Sequence, residues 1–325
     1  MIQVVTVGGG TSSYTLLSGI KNIKNTSISA IVAMTDDGGS AGVLRDELGV
    51  LPPGDVRQCL VALSEHTEIV RELMSYRFTE GGLSGHSLGN LLLAGLEKVT
   101  GSFIEGVEVA SEILKVKGRV LPVIDRVASL EATLVDGKKI IGEDVINQMT
   151  HETNIIRSVS ITKDAHINPH AKNAIESADY IIIGPGNHFC SILPNLVVPG
   201  VREACRQSKA KIVYITNLTN KKGHTIGWKV SDYVKSIELS LSRRVDMVLI
   251  NNARPSDEQL TTYKLTEGDG VLVENDMGED PRVVLASIMA ESLTKESKGD
   301  AIAHTRSFIR HDSKKLGEVI AKIIS

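Results

Sequence analysis

The stretch Val4–Leu17, VVTVGGGTSSYTLL, decides how the chain is read. An apolar, β-branched run, Val4–Val7, meets three successive glycines, and a helix-like run starts at Tyr14. Three glycines weaken any regular element, so this junction needs bare backbone. It reads as a first parallel strand, a turn over Gly8–Ser12, and a helix whose N-terminal N–H groups lie open to an anion. Thr11, Ser12 and Ser13 add hydroxyl donors. A tight turn that only packs helix on strand is the competing reading, but two glycines suffice for that. As a dinucleotide fingerprint the stretch is incomplete, because Ser13 stands where the third glycine belongs.

The alternation continues down the chain. Strand candidates are Val4–Val7, Ile28–Met34, Val120–Val123, Ile155–Ile161, Tyr180–Ile183, Lys211–Ile215, Met247–Ile250 and Val271–Val273. Helix candidates are Tyr14–Ile23, Val56–Glu65, Gly89–Val99, Val107–Lys115, Asn173–Ser177, Val198–Gln207, Ser231–Leu241 and Val283–Leu293. Such alternation predicts an α/β, Rossmann-like fold: a mostly parallel sheet with helices on both faces. Asp136-Gly137 between two apolar segments predicts a small β-hairpin insertion. Asn168-Pro169 reads as a cap and first residue of a helix, and Ser313 precedes a last helix carrying Leu316, Val319, Ile320 and Ile323 at helical spacing. Residues 1–325 read as a single domain, with the more polar region 255–325 as a C-terminal α/β lobe.

Composition narrows the function classes. At 325 residues, 42% hydrophobic and 3% aromatic, the chain predicts an aliphatic core. A formal charge of −3 supplies no basic field for nucleic acid. Cys59, Cys190 and Cys205 are isolated, which fits neither a disulfide framework nor a zinc site. No apolar run approaches the length of a membrane span, and a strand pattern begins at once, so the expectation is a cytoplasmic protein.

A second glycine junction, Gly184-Pro185-Gly186-Asn187, follows another β run. In a parallel sheet both turns emerge at the carboxyl edge, where ligands bind. The second strand ends in MTDDGGSAG, placing Asp36 and Asp37 where a ribose-binding acid falls. Beside a diphosphate a bare carboxylate is repelled by about 4 kcal/mol at 4 Å and an effective dielectric of 20. The pair therefore binds hydroxyls away from the phosphates or shares a Mg²⁺ with them, or is a polar turn; the residues leave these open. Asp55 is placed to cap the helix carrying Arg57, which either meets a phosphate or pairs with Asp55 or Glu65. Gly85-His86-Ser87-Leu88-Gly89 matches a nucleophile elbow, but the polar, glycine-rich RFTEGGL before it supplies no strand. A glycine-rich loop presenting His86, Ser87 and Asn90 to a ligand is the better reading. His166 and His170 flank Pro169 and share no helical face, so they read as surface residues.

In chain order, the strand–GGGT junction, DDGGSAG, LPPGDVRQCLVAL, SGHSLGNLLLAGL, GPGN with SILPNLVVPGV, and RHDSKKL resemble the YvcK family of gluconeogenesis factors, within the CofD-like superfamily. The resemblance runs from Val4 to the last helix. It implies a regulatory protein that binds a UDP-sugar, notably UDP-N-acetylglucosamine, tied to gluconeogenic growth and cell shape and without an assigned reaction. It also implies a homodimer. CofD itself, the 2-phospho-L-lactate transferase, implies the alternative: transfer of a phospho-lactate-like group from a nucleotide-activated donor with Mg²⁺. In that case Asp36 and Asp37 carry the chemistry and the metal; otherwise no catalytic residue is assigned. Gly9, Gly10 and Thr11, with Ser12, match the phosphate loop. Gly85, His86 and Asn90 match the third loop, and Gly184, Gly186, Asn187, Pro194 and Asn195 the fourth. Tyr263 and Arg310 match a tyrosine and an arginine that hold the UDP-sugar, the arginine offering a bidentate fork to a diphosphate. Ser12, the run Asn187–Cys190, and Lys221, Lys222 and His224 depart from the family pattern, around the expected sugar-binding mouth.

Overall fold

A computed structural model describes residues 1–66, 68–150, 155–162, 165–267, 272–291 and 309–325. The strands are β1 (Ile2–Gly8), β2 (Thr26–Val32), β3 (Arg119–Pro122), β4 (Leu130–Leu134), β5 (Lys139–Ile141), β6 (Ile156–Ile161), β7 (Tyr180–Ile183), β8 (Lys211–Ile215), β9 (Met247–Asn251) and β10 (Val283–Ala286). The helices are α1 (Gly10–Ile20), α2 (Gly39–Leu48), α3 (Gly54–Leu63), α4 (Glu68–Ser75), α5 (Leu88–Thr100), α6 (Phe103–Ile113) and α7 (Glu143–Asn147). They continue with α8 (Pro169–Glu176), α9 (Leu193–Leu196), α10 (Val201–Gln207), α11 (Val230–Leu241), α12 (Asp257–Glu267) and α13 (Ser313–Ile324).

Seven strands form a sheet in the order β10-β9-β8-β7-β1-β2-β3. Every pairing in it is parallel. Ile181–Ile183 and Ile212–Ile215 are fully buried, as strands covered on both faces must be. Each such Ile side chain contributes about 1.5–3 kcal/mol by leaving water. The chain leaves β1 toward β2 and β3 and later returns to its other side at β7. The gap between β1 and β7 is therefore the topological switch point, and both glycine turns sit at its carboxyl end.

A three-stranded antiparallel sheet, β5-β4-β6, forms the insertion. Leu130, Ala132 and Leu134 of β4 point inward and alternate with half-buried residues, the period of a sheet with one covered face. Asp136-Gly137 makes the hairpin turn, with Lys138 N donating to Asp136 Oδ1 at 2.9 Å. Asn168 caps α8 by accepting from His170 N at 2.9 Å.

Three expectations need correction. Val283–Leu293 is not a helix: Val283–Ala286 is the edge strand β10, in register with Val248–Asn251 of β9, and Leu293 lies outside the described residues. The β-branched pair Val283-Val284 finds an open parallel edge there, which outweighs the helical spacing of the apolar residues. Ile155–Ile161 is a strand, but it pairs antiparallel with β4 in the small sheet. Of Val271–Val273, Val271 lies outside the described residues, and Leu272 makes only a single bridge to Thr219.

Candidate nucleotide and cation site

Read in sheet order, the carboxyl edge carries a line of polar features. Thr35–Gly38 follow β2, Gly9–Ser13 follow β1, Gly184–Asn187 follow β7, Thr216–Asn220 follow β8 and Asn252–Pro255 follow β9. The amide ends of α1 and α2 open on this edge, directly after β1 and β2. Neither helix has a side-chain N-cap hydrogen bond.

The cradle after β1 has an internal neighbour that the sequence reading did not anticipate. Asp55, expected to cap α3, lies in its first turn and instead accepts a hydrogen bond from Gly10 N–H. A β-carbon on Gly9 would strike Asp55 Oδ2 and sit 3.3 Å from its Cγ, so only glycine lets the carboxyl lie against the turn. Burial pushes Asp55 up to about 7, the nearby Asp36 charge adds to this, and Gly10 N–H and Arg57 oppose it. Asp36 is raised to about 6, first by burial and then by Asp37 and Asp144, against a hydrogen bond from Gly38 N at 3.0 Å. Glu143, at the start of α7, takes a hydrogen bond from the Thr35 hydroxyl and is raised well above its ordinary value by burial, Asp36 and Asp55. Asp37 is otherwise engaged: its Oδ1 accepts from Asp144 N at 2.7 Å and its Oδ2 lies 3.6 Å from Arg45.

This donor set fits a hard divalent cation. Buried carboxyls that hold protons near neutrality for want of positive charge are what such an ion would relieve. Mg²⁺ is commonly held by one or two carboxylates, with water and ligand phosphates completing its shell. Asp36 and Asp55 are the buried carboxyls that such an ion could use. Among the described residues no three His, Cys, Asp or Glu side chains converge on one point.

The loop expected to present His86 and Asn90 does bring them together. His86 Nδ1 lies 3.0 Å from Ser40 Oγ, which accepts from Asn90 Nδ2 at 3.2 Å. Asn90 Oδ1 accepts from Arg57 Nε at 2.9 Å, and Arg57 also donates to Met74 O at 3.3 Å. Arg57 is buried, and these bonds tie α3 to α4 and α5. Ser87 is fully buried as the N-cap of α5, its hydroxyl accepting from Asn90 N, with no strand before it. It is neither an elbow nucleophile nor the ligand-facing group expected of it, because its hydroxyl is used up as the helix cap.

Asn195 is fully buried and donates to Gly8 O at 3.1 Å and Ser191 O at 2.8 Å, joining the two glycine turns. Asn187 Oδ1 accepts from Phe189 N and Cys190 N, capping the turn His188–Ile192. Its amide donates to Asn147 Oδ1 of α7 at 3.0 Å. Asn217 Nδ2 donates to Gly186 O at 2.8 Å, linking the β7 turn to the β8 loop.

The two segments that depart from the family pattern pack on each other. The His188 ring lies 5.2 Å from Trp228, Phe189 5.6 Å from Trp228 and 6.0 Å from His224, all edge to face. His224 Nε2 bonds Ile146 O at 2.7 Å, and burial first, then Lys221, lowers its pKa to about 4. The unfolded chain protonates this ring near its ordinary 6.5 whereas the native state does not, so stability present above that value is lost as pH falls toward 4. His224→Gln keeps a donor for Ile146 O and removes the titration. Its stability relative to the parent therefore rises by about 2 kcal/mol between pH 7 and pH 5, measured by urea unfolding.

Tyr263 packs against Ile309, the residue before Arg310, at the far end of the same edge. A cavity of about 230 Å³ lies there, lined among others by Thr216, Asn217, Asn252, Arg254, Met289 and Ile309. Tyr263 packs with Met289 and Ile309, and its hydroxyl lies 3.0 Å from Thr219 Oγ1. Arg310 follows Ile309, and its carbonyl accepts from Ala290 N at 2.9 Å. Asp55 as a site acid, Glu143, Asn147 and Asn217 were missed by sequence reasoning. Only Asp55 carried a signal, its place in a Pro-Pro-Gly-Asp turn.

Comparison with known proteins agrees with this architecture. The family model described as "2-phospho-L-lactate transferase CofD" matches residues 4–293. A Thermotoga maritima protein carrying the gluconeogenesis-factor name is 44% identical over 99% of both chains. The Bacillus subtilis protein named "Gluconeogenesis factor" is 36% identical, covering 99% of this chain and 98% of its own. A crystal structure of a UPF0052 family member from Bacillus halodurans superposes with a TM-score of 0.88 at 37% identity, over 98% of this chain and 99% of that one. Among the described residues no helix is long and apolar enough to cross a membrane.

Proposed function

Because the chain belongs to the CofD family and, within it, to the gluconeogenesis factors, we propose that it is a regulatory protein that binds a nucleotide sugar of the UDP-N-acetylglucosamine type. Its biological setting on this reading is carbon metabolism and cell shape. One observation carries the reading: acids, two glycine turns, Asn217 and the cavity beside Tyr263 follow one another along a single sheet edge. From β2 to β9 that edge spans about 19 Å at the usual strand spacing, the reach of an extended nucleotide sugar. The glycine turns and the amide end of α1 offer donors to the diphosphate, and Tyr263 and Arg310 stand at the cavity end.

The paired acids favour a second reading, a CofD-type transferase. Bound Mg²⁺ would supply charge neutralisation for a leaving nucleotide. Asp36 and Asp55 would hold the ion, while the amide end of α1 and Arg310 orient the diphosphate. Saturable binding without product supports the regulatory reading; product from an activated phosphodiester, lost in Asp36→Asn, supports the transferase.

The test is a thermal-shift series with UDP-sugars, GDP, NAD and NADP, with and without Mg²⁺. A ligand that binds only the native state stabilises it by about 2.7 kcal/mol at a hundred times its Kd. UDP-N-acetylglucosamine is expected to raise Tm, and no shift with any UDP-sugar would reject the reading. Arg310→Ala is expected to weaken UDP-sugar binding at least tenfold by calorimetry with Tm little changed. Unaltered affinity would remove Arg310 from the site.

A further inference from the structure

The short helix α7 is tied to the edge at both ends. At its start, Asp144 N donates to Asp37 Oδ1 at 2.7 Å, and Glu143 takes the Thr35 hydroxyl, both in the loop after β2. At its end, Asn147 Oδ1 accepts from Asn187 Nδ2 at 3.0 Å, in the turn after β7, and from Lys221 Nζ, in the loop after β8. His224 Nε2 bonds Ile146 O at 2.7 Å, and Gly223 packs against the Met149 carbonyl. In the sheet, β1 lies between β2 and the pair β7 and β8. The helix therefore bridges the position of the first glycine turn, linking the acidic loop on one side to two further ligand loops on the other.

We infer that Asn147 is a positioning residue of this site: its side-chain oxygen fixes the Asn187 turn and the Lys221 ammonium relative to the acidic loop. The inference rests on the nucleotide-diphosphate reading above and deepens it. One oxygen takes two donors from two different loops, one of them cationic. The Lys221 ammonium is thereby held to the helix that also carries the Asp37 and Thr35 contacts, and supplies a positive charge for an anionic ligand. A packing role would need only the volume of Asn147, whereas a positioning role needs an acceptor at that point. In these two bonds the oxygen serves purely as an acceptor, which leucine, of similar size, lacks.

The experiment measures UDP-N-acetylglucosamine and inorganic pyrophosphate binding, with Mg²⁺ present, by calorimetry on the full chain. The variants are Asn147→Leu, Lys221→Met and the double variant Asn147→Leu/Lys221→Met, with Tm recorded for each. Asn147→Leu is expected to weaken both ligands about tenfold with Tm nearly unchanged. The double variant should lose no more than the larger single effect, because both act through one contact. If the parent binds pyrophosphate and Asn147→Leu binds it equally, or if the double variant loses the sum of the two single effects, the positioning role is overturned. If the parent binds neither ligand, the nucleotide-diphosphate reading fails first, and the inference falls with it.

Discussion

Asp55→Asn makes the ligand-free protein more stable at pH 8 by about 4 kcal/mol and at pH 4 by less than about 1 kcal/mol. The sign follows from burial. In the folded chain Asp55 titrates at about 7, against an ordinary value of 3.8. Below the ordinary value both states carry the proton, and Asp55 imposes no electrostatic penalty. As pH rises through 7 the native state must ionise a fully buried carboxyl beside Asp36, while the unfolded chain ionised its own long before. About three units of displacement, at 1.36 kcal/mol each, give the figure. Asparagine keeps an oxygen for Gly10 N–H and removes the charge, so the gain is electrostatic and not a repacking effect. Urea unfolding at pH 4, 6 and 8 measures it: the difference between variant and parent should grow monotonically with pH. The same variant should lose most of the Mg²⁺-induced rise in Tm, because it discards one of the two carboxylates suited to that ion. A parent more stable than the variant at pH 8 without metal would show that the carboxyl is not desolvated as the structure places it.

That trade of stability for a charged site was only half legible in the sequence. The glycine run Gly8–Gly10 announced close backbone approach, and the approach is there. What comes closest to Gly9, however, is Asp55, 46 residues later, and no local pattern could say so. Periodicity located β1, β2, β7, β8 and β9 because buried parallel strands are continuous β-branched runs, and it located the hairpin because Asp-Gly fixes its own turn. It failed at Val283–Ala286, where an open sheet edge decided between two patterns that the residues alone carry equally well. It missed α7, whose five residues are held by tertiary bonds to Asp37, Asn187, Lys221 and His224 and not by propensity. Glu143 and Asn147 were invisible for the same reason. Arg57 shows the limit in another form: beside the expected electrostatic pull on Asp55, it makes hydrogen bonds with Asn90 and Met74 on two other helices, which no local pattern announced.

Gly317→Val is expected to destabilise the protein by about 3 kcal/mol or more and to abolish nucleotide-sugar binding with it. The helices α1 and α13 cross at Gly19 and Gly317 with their backbones in contact. A β-carbon on Gly317 would strike the Gly19 carbonyl oxygen and lie 2.7 Å from its carbon. The opposing atoms are main chain, so no rotamer change relieves the clash, and α13 has to move as a body. It cannot move cheaply, because Leu316, Ile320 and Ile324 are buried in the main core where α13 packs on α1, each stabilising the docked helix by about 1.5–3 kcal/mol. The consequence reaches the far end of the ligand edge. The segment Arg310–Asp312 leads straight into α13 and is pinned by Ala290 N to Arg310 O at 2.9 Å and Asp312 N to Ile288 O at 2.8 Å. A displaced α13 pulls on those bonds and shifts Arg310, which follows the Ile309 packed against Tyr263. Val319→Ala, on the same helix but at a half-buried position, provides the control: it trims apolar contact without a clash and is expected to cost about 1 kcal/mol with UDP-sugar affinity intact. Urea unfolding and calorimetry on the two variants separate the effects. If Gly317→Val binds as the parent does once folded, α13 is a support for the sheet alone, and the Arg310 segment holds its position without it.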